Sequence, residues 1–289
     1  MSQLQVRVAI SGASGFLGRH VVRQACTRDN LVPVALTRRN PVRVESGRNV
    51  QEVPCDLHAP CVGLFDRLGQ PDVLIHLAWG GLPHYRSLHH FSQELPAQFR
   101  WLQAMVTQGL KRVVVAGTCL EYGLLGGELT EASPAEPVTA YGVAKDGLRR
   151  QLEMLRQATP FGLTWARLFY MYGEGQARTS LFPQLQQTLA TGAPTFAMSA
   201  GEQVRDFLPV QEVARTLVDL ALNEETAGIV NLCSGKPVSV RSQVEQWIAA
   251  HPGGHRPRLE LGAYPYPDYE PMAFWGSRAK LDLHLGRSA

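Results

Sequence analysis

Tyr141 and Lys145, in AYGVAK, stand four residues apart. On a helix that spacing puts both side chains on one face, so the Lys145 ammonium can lie near the Tyr141 phenol. A phenol ionises near pH ~10, and a neighbouring cation favours the phenolate. That makes Tyr141 a usable proton donor or acceptor near neutrality. Eight tyrosines and four lysines in the chain leave about 0.1 such pair to chance. Thr118, in GTCLEYG, adds a hydroxyl that hydrogen-bonds a substrate oxygen in either direction. A phosphate cradle is the other chemistry on offer. In SGASGFLG, Gly12, Gly15 and Gly18 recur every three residues, with Ser14, Phe16 and Leu17 between them. Glycine allows a tight turn and close backbone approach to a pyrophosphate, and the N–H groups of a following helix face the anion.

Each of these groups needs an element to hold it. Val6, Val8 and Ile10 begin a buried strand before Gly12, and Phe16, Leu17, Val21, Val22 and Ala25 follow at helical spacing. Further strands are expected over Leu31–Thr37, Val50–Val53, Val73–Leu77, Arg112–Ala116 and Gly162–Phe169. Helices are expected over about Gln93–Gln108, from Tyr141 through Lys145, over Ser180–Gly192 and over Val240–Ala250. Alternation of strand and helix predicts an α/β fold, a doubly wound and mostly parallel sheet. Ligands of such sheets bind outside the carboxyl ends of the strands, where Thr118 falls. The second strand is followed by Arg38 and Arg39 and not by a carboxylate. In a dinucleotide fold an acidic residue there holds the ribose 2′-hydroxyl of NAD, and an arginine accommodates the 2′-phosphate of NADP. The expected cofactor is NADP(H), with NAD(H) as the alternative.

Composition narrows the partners. A net charge of +3 over 289 residues leaves no electrostatic footprint for nucleic acid. No apolar run reaches membrane-spanning length, and a strand begins almost at once, leaving no room for a signal peptide. The five cysteines are odd in number and lack a CxxC pair, which points to reduced thiols, no structural metal and a cytoplasmic location. His84, His89 and His90 lack metal-ligand spacing.

The GxxGxxG turn, the Tyr141/Lys145 pair with Thr118, and HLAWGG (His76–Gly81) together resemble the extended short-chain dehydrogenase/reductase superfamily. MYGEGQ (Met171–Gln176) resembles the RxFNVYGPGQ element of the same group, and QVRDFLPVQEVA (Gln203–Ala214) its RDF-x-x-V-x-x-x-A element. The resemblance runs from Val6 to about Leu285 and implies a Rossmann-type domain, 1–170 with a return segment at about 206–232. It also implies a smaller C-terminal substrate lobe, 171–205 and 233–289. Asp56 and Leu57 would lie by the adenine; Leu77, Ala78, Trp79 and Phe169 would line the cofactor, with Lys145 on the nicotinamide ribose. Gly80, Glu121 and Tyr170 (Asn in the family) would join Thr118 and Tyr141 at the substrate. Arg205 would approach the diphosphate of a nucleotide-sugar; the plain alternative is a surface arginine paired with Asp206. Relatives carry an Asn early in the helix after HLAW, and here the nearest residues are Glu94 and Gln98. GTCLEYG and the loop after HLAW resemble 4-keto-6-deoxyhexose reductases of the dTDP-fucose-forming type, acting in deoxysugar biosynthesis. The 4,6-dehydratases carry Asp and Glu directly after the Thr, where this chain has Cys119 and Leu120. A nucleotide-sugar 4-epimerase is the alternative activity, and a non-catalytic NADP-binding sensor the alternative of another class. Relatives often pair through two helices per subunit, so a homodimer is an expectation of the resemblance alone.

Overall fold

Val8 and Ile10 pack on one side of the first strand and Ala9 on the other, and all three are fully buried. A strand buried on both faces needs helices over each. The computed structural model, which describes residues 5–38, 50–225 and 227–286, has that arrangement. Its elements are β1 (Val6–Ser11), α1 (Phe16–Cys26), β2 (Leu31–Thr37), β3 (Gln51–Pro54), α2 (Leu64–Arg67), β4 (Val73–His76) and α3 (Leu95–Thr107). Next come β5 (Arg112–Thr118), β6 (Gly127–Leu129), α4 (Ala140–Ala158), β7 (Gly162–Leu168), β8 (Tyr170–Tyr172), α5 (Leu181–Thr191) and β9 (Thr195–Ala197). The remainder is β10 (Val204–Pro209), α6 (Val210–Leu222), β11 (Gly228–Leu232), β12 (Pro237–Ser239), α7 (Val240–Ala250), β13 (Arg258–Glu260), β14 (Phe274–Gly276) and α8 (Ala279–His284).

The main sheet has seven parallel strands in the order β11-β7-β5-β4-β1-β2-β3. Chain order reverses beside β1, where β2 lies on one side and β4 on the other, so a crevice opens above their carboxyl ends. Ser11 is in register with His76 there. Helices α1 and α6 cover one face with Val21, Val22, Val213 and Leu217. On the other face α3 and α4 present Trp101, Leu102, Leu148 and Leu152. The expected doubly wound sheet is therefore present.

Among the boundaries that differ from the sequence pattern, two have a clear local reason. Strand β4 ends at His76 because the Leu77 N–H turns to the Ser11 hydroxyl, 3.1 Å away. Helix α3 begins at Leu95, two residues later than expected, after a wide turn over His90–Glu94. Pro96 stands in its first turn and has no N–H for a carbonyl four residues back. Outside the main sheet the strands pair in small sheets, β12-β10-β8, β13-β9 and β14-β6. Leu185, Leu189, Phe196, Met198, Val244 and Trp247 form a separate apolar cluster there, drawn from α5, β9 and α7.

Candidate active site

The glycine turn closes tightly on its neighbours. Gly12 has φ +67°, and a Cβ there would stand 2.9 Å from the Ala78 nitrogen. A Cβ on Gly18 would meet the Gly12 carbonyl oxygen at 2.0 Å, so this glycine seats α1 on the turn. Gly15 is the N-cap of α1, and no side chain caps the helix. The first N–H groups of α1 are thus left for an anion. Close approach and an open helix start both fit a dinucleotide pyrophosphate.

These residues form one wall of a groove of about 250 Å³. Gly12, Ser14 and Gly15 line one side, Arg38, Asp56 and Leu57 the far end, and Leu77, Ala78 and Trp79 the floor. Arg39 lies outside the described residues. For three residues the surroundings differ from those implied. The Leu17 side chain belongs to the core beneath the groove, while its backbone N–H stays in the first turn of α1. Phe16 opens α1, and it lines the neighbouring cavity. Gly80 lines the groove and not the substrate cavity, since the Glu94 carboxylate fills the place of its missing side chain.

Glu94, Gln98 and His58 also line the groove, and sequence reasoning assigned none of them to it. Glu94 and Gln98 belong to a buried relay. Gln98 Nε2 donates to Glu94 Oε2 at 2.9 Å, and Gln98 Oε1 accepts from His76 Nε2 at 2.8 Å. His76 Nδ1 then accepts from the Ser11 hydroxyl at 2.9 Å. Burial, with Lys145 nearby, pushes the His76 imidazole down to about 3, so it is neutral. Burial alone would raise the Glu94 carboxyl. The Gly80 and Gln98 N–H donors and the imidazoles of His58 and His89 outweigh it and hold the group below its usual range. Both imidazoles reach Oε1 at 3.2 Å. The available signal was the Glu94/Gln98 pair at i, i+4 where relatives carry one Asn.

A second cavity, about 360 Å³, holds the hydroxyl chemistry. Thr118, Cys119 and Tyr141 form one wall, Leu82, Pro83 and Tyr85 another, and Phe169, Tyr170, Met171 and Glu270 face them. Thr118 ends β5 and caps the short turn Cys119–Tyr122. Its N–H donates to Glu121 Oε1 at 2.8 Å, and its hydroxyl accepts from the Leu120 N–H at 3.3 Å. Glu121 is therefore not a wall residue. It is fully buried beneath the cavity, ion-paired with Arg167 Nε at 2.7 Å and bonded to Trp165 Nε1 at 3.0 Å. Every donor to its two oxygens is an N–H, so the group stands as the carboxylate even though burial pushes its pKa up.

Tyr141 opens α4, which Thr139 caps through the Gly142 N–H at 3.1 Å. The Tyr141 N–H donates to the Tyr85 carbonyl at 2.9 Å. Lys145 follows one turn later and is 2% exposed. Its Nζ donates to the Ala116 carbonyl at 2.8 Å and lies 4.1 Å from the centre of the Trp79 ring. The Tyr141 ring centre is 6.0 Å away. Burial drives Tyr141 upward, with Tyr85, Glu121 and Cys119 adding to it and Thr118 opposing. The expected pull of Lys145 toward phenolate is thus outweighed, and Tyr141 is held as the phenol. Burial likewise lowers Lys145 to about 7.

Of three other expected positions, two change. Phe169 lines the hydroxyl cavity and not the dinucleotide groove. Tyr170 is on the cavity wall as expected, its hydroxyl buried without an aligned hydrogen-bond partner. Arg205 is buried behind the cavity: Nη2 meets Glu270 Oε2 at 2.9 Å, and Nη1 donates to the Val204 and Met272 carbonyls. It pairs with Glu270 and not with Asp206, whose oxygens accept the Ser234 and Gly235 N–H groups.

Comparison with known proteins agrees with this layout. The NAD dependent epimerase/dehydratase family matches residues 8–233. A dTDP-6-deoxy-L-talose 4-dehydrogenase (NAD(+)) of Aggregatibacter actinomycetemcomitans is 28% identical over 284 residues, 94% of this chain and 100% of that protein. A ceramide reductase of Caulobacter vibrioides is 30% identical over 87% of this chain and 72% of its own length. The solved structure of MoeE5 in complex with UDP-glucuronic acid and NAD is similar at a TM-score of 0.80 and 26% identity, over 98% of this chain and 93% of that one. The matched region runs from β1 to the residue after β11 and holds the glycine turn, Thr118, Tyr141 and Lys145. The chain belongs to the NAD-dependent epimerase/dehydratase family and is an oxidoreductase of its extended short-chain type.

Proposed function

We propose that the protein reduces the 4-keto group of a nucleotide-activated 6-deoxyhexose, a dTDP-4-dehydro-6-deoxyhexose reductase reaction with NADPH as the preferred reductant. The observation that carries this reading is the meeting of the two cavities at Tyr141. Its phenol faces Thr118 in one cavity, and its ring packs at 5.9 Å against Trp79, which floors the other. Leu82, Pro83 and Met171 suit the methyl group of a 6-deoxy sugar, and the Glu270 carboxylate opposes a uronate. The full-length likeness to a dTDP-6-deoxy-L-talose 4-dehydrogenase supports the same chemistry. That name describes oxidation at C4, and a catalyst of that step also accelerates its reverse, the 4-keto reduction.

In this reading Gly12, Gly15 and the start of α1 hold the pyrophosphate, Asp56 and Leu57 the adenine end, Arg38 a 2′-phosphate and Lys145 the nicotinamide ribose. When bound there, a reduced dinucleotide would supply the hydride for the ketone carbon. Tyr141 gives its phenolic proton to the C4 oxygen as that oxygen gains negative charge. Thr118 hydrogen-bonds the same oxygen and fixes its direction. Lys145, as the ammonium, stabilises the phenolate that remains. Cys119 stands beside Thr118, but burial pushes its thiol up, so it supplies no base for elimination of water. Residues 171–205 and 233–289 form the substrate lobe in this reading.

A panel of nucleotide 4-ketosugars tests the proposal. Purified protein is expected to consume one NADPH per ketosugar reduced. Tyr141→Phe is expected to keep dinucleotide binding while turnover falls roughly 10²-fold. Tightly held NAD released on denaturation, with sugar epimerised and no net nicotinamide absorbance change, would make it a 4-epimerase. Dinucleotide binding with no turnover of any sugar would favour the sensor.

A further inference from the structure

We propose that Trp79, fixed from behind by His90, is a positioning residue that holds the Lys145 ammonium in the active site. The inference rests on the reading of Tyr141 and Lys145 as the acting pair.

A buried lysine ordinarily needs a carboxylate. Among the described residues, none lies within ion-pair distance of Lys145. One carbonyl, Ala116, accepts from Nζ, and the Trp79 ring at 4.1 Å covers it. An indole face at that distance attracts a cation and does so more strongly when water is excluded. Glu94 and Glu121 act on Lys145 from a distance. The cationic forms of His76 and His90 would oppose it, and burial keeps both imidazoles neutral by lowering their pKa. Tyr141 is the remaining titratable neighbour.

The Trp79 ring is not free to turn. Its Nε1–H donates to His90 Nδ1 at 3.1 Å, and His90 Nε2 donates to the His84 carbonyl at 3.0 Å. An indole nitrogen only donates and a carbonyl only accepts, so one neutral tautomer of His90 satisfies both. His90 is fully buried, 5.3 Å from the Tyr141 ring. The loop between β4 and α3 thus braces both members of the acting pair through one histidine.

The test reads Lys145 itself. Protein carrying [¹³Cε]-lysine has four lysines, and Lys145→Arg identifies the resonance of Lys145. The wild-type titration midpoint is expected near 7. Removing the aromatic face destabilises the ammonium, so in Trp79→Leu the midpoint is expected to fall by about one pH unit. The alkaline limb of kcat/KM for ketosugar reduction should move down with it, because activity is lost as pH rises through the Lys145 pKa. A midpoint that stays or rises in a folded Trp79→Leu protein overturns the proposal. If that variant does not fold, His90 decides. Gln accepts from the indole and donates to the His84 carbonyl, whereas Leu does neither, so His90→Leu should lower the midpoint and His90→Gln restore it. Equal midpoints in those two overturn the proposal. A Lys145 shift in protein that reduces no ketosugar leaves the inference standing and sinks the function proposed above.

Discussion

Arg205 marks the difference between reading a residue and reading its surroundings. An arginine in an RDF sequence suits a diphosphate, because a guanidinium offers forked donors to phosphate oxygens. In the fold those donors are already taken by Glu270 and two backbone carbonyls, and the Cζ atom lies 4.7 Å from the Phe274 ring centre. Arg205 is 2% exposed, and the Glu270 side chain 11%. Removing one member of such a pair leaves a buried charge without compensation, at a cost of about 3–5 kcal/mol. Arg205→Leu is therefore expected to lower stability in urea by that amount, and adding Glu270→Gln should recover a good part of it. Unchanged stability with KM for the nucleotide-sugar raised tenfold or more would return Arg205 to the diphosphate. The sequence could not show this, because Glu270 lies in the aromatic stretch Tyr264–Trp275, which has no period to place it.

At the scale of elements, the relay from Ser11 through His76 and Gln98 to Glu94 ties β1, β4 and α3 together under the crevice. His76 also stacks on Trp101 of α3, ring centres 5.5 Å apart. A second proton on this ring would deprive the Ser11 hydroxyl of its acceptor and place a charge among apolar groups near Lys145. The depressed pKa makes the relay a pH-dependent part of stability. Above the ordinary value of 6.5 neither the folded nor the unfolded chain protonates this group, so it adds no penalty. Below 6.5 the unfolded chain takes up the proton and the folded chain does not, and stability falls until the folded pKa of about 3. Between about pH 7 and about pH 5 the loss approaches roughly 2 kcal/mol. His76→Gln should flatten the pH dependence of urea unfolding by that much over the same interval. An identical slope in the variant would mean that His76 is protonated in the folded protein.

For the molecule as a whole, legibility followed period and burial. Most of the seven parallel strands could be read because they are apolar; β3, with only Val53 buried, carries the weakest signal. Motifs at the strand ends led to the groove and to the hydroxyl cavity, since such sheets place ligands there. Contacts between distant loops could not be read: His58 and His89 converge on Glu94 from separate connections, and the loop after β4 carries His90 to Trp79. The same groove collects four connections, after β1, β2, β3 and β4, so a bound dinucleotide stabilises the chain as a unit. That makes the thermal transition a gauge of cofactor preference. Arg38, directly after β2, is exposed and on the groove wall. A charged hydrogen bond to the 2′-phosphate is worth about 1.5–3 kcal/mol, or roughly tenfold to a hundredfold in affinity. At equal saturating concentrations a tenfold ratio adds about 1.4 kcal/mol of stabilisation, roughly 2–4 °C in Tm for a chain of this size. NADPH should therefore raise Tm further than NADH by at least that margin, and Arg38→Ala should close the gap by weakening NADPH alone. A larger shift with NADH would side with the relative whose name specifies NAD(+), and would make Arg38 a solvated surface charge.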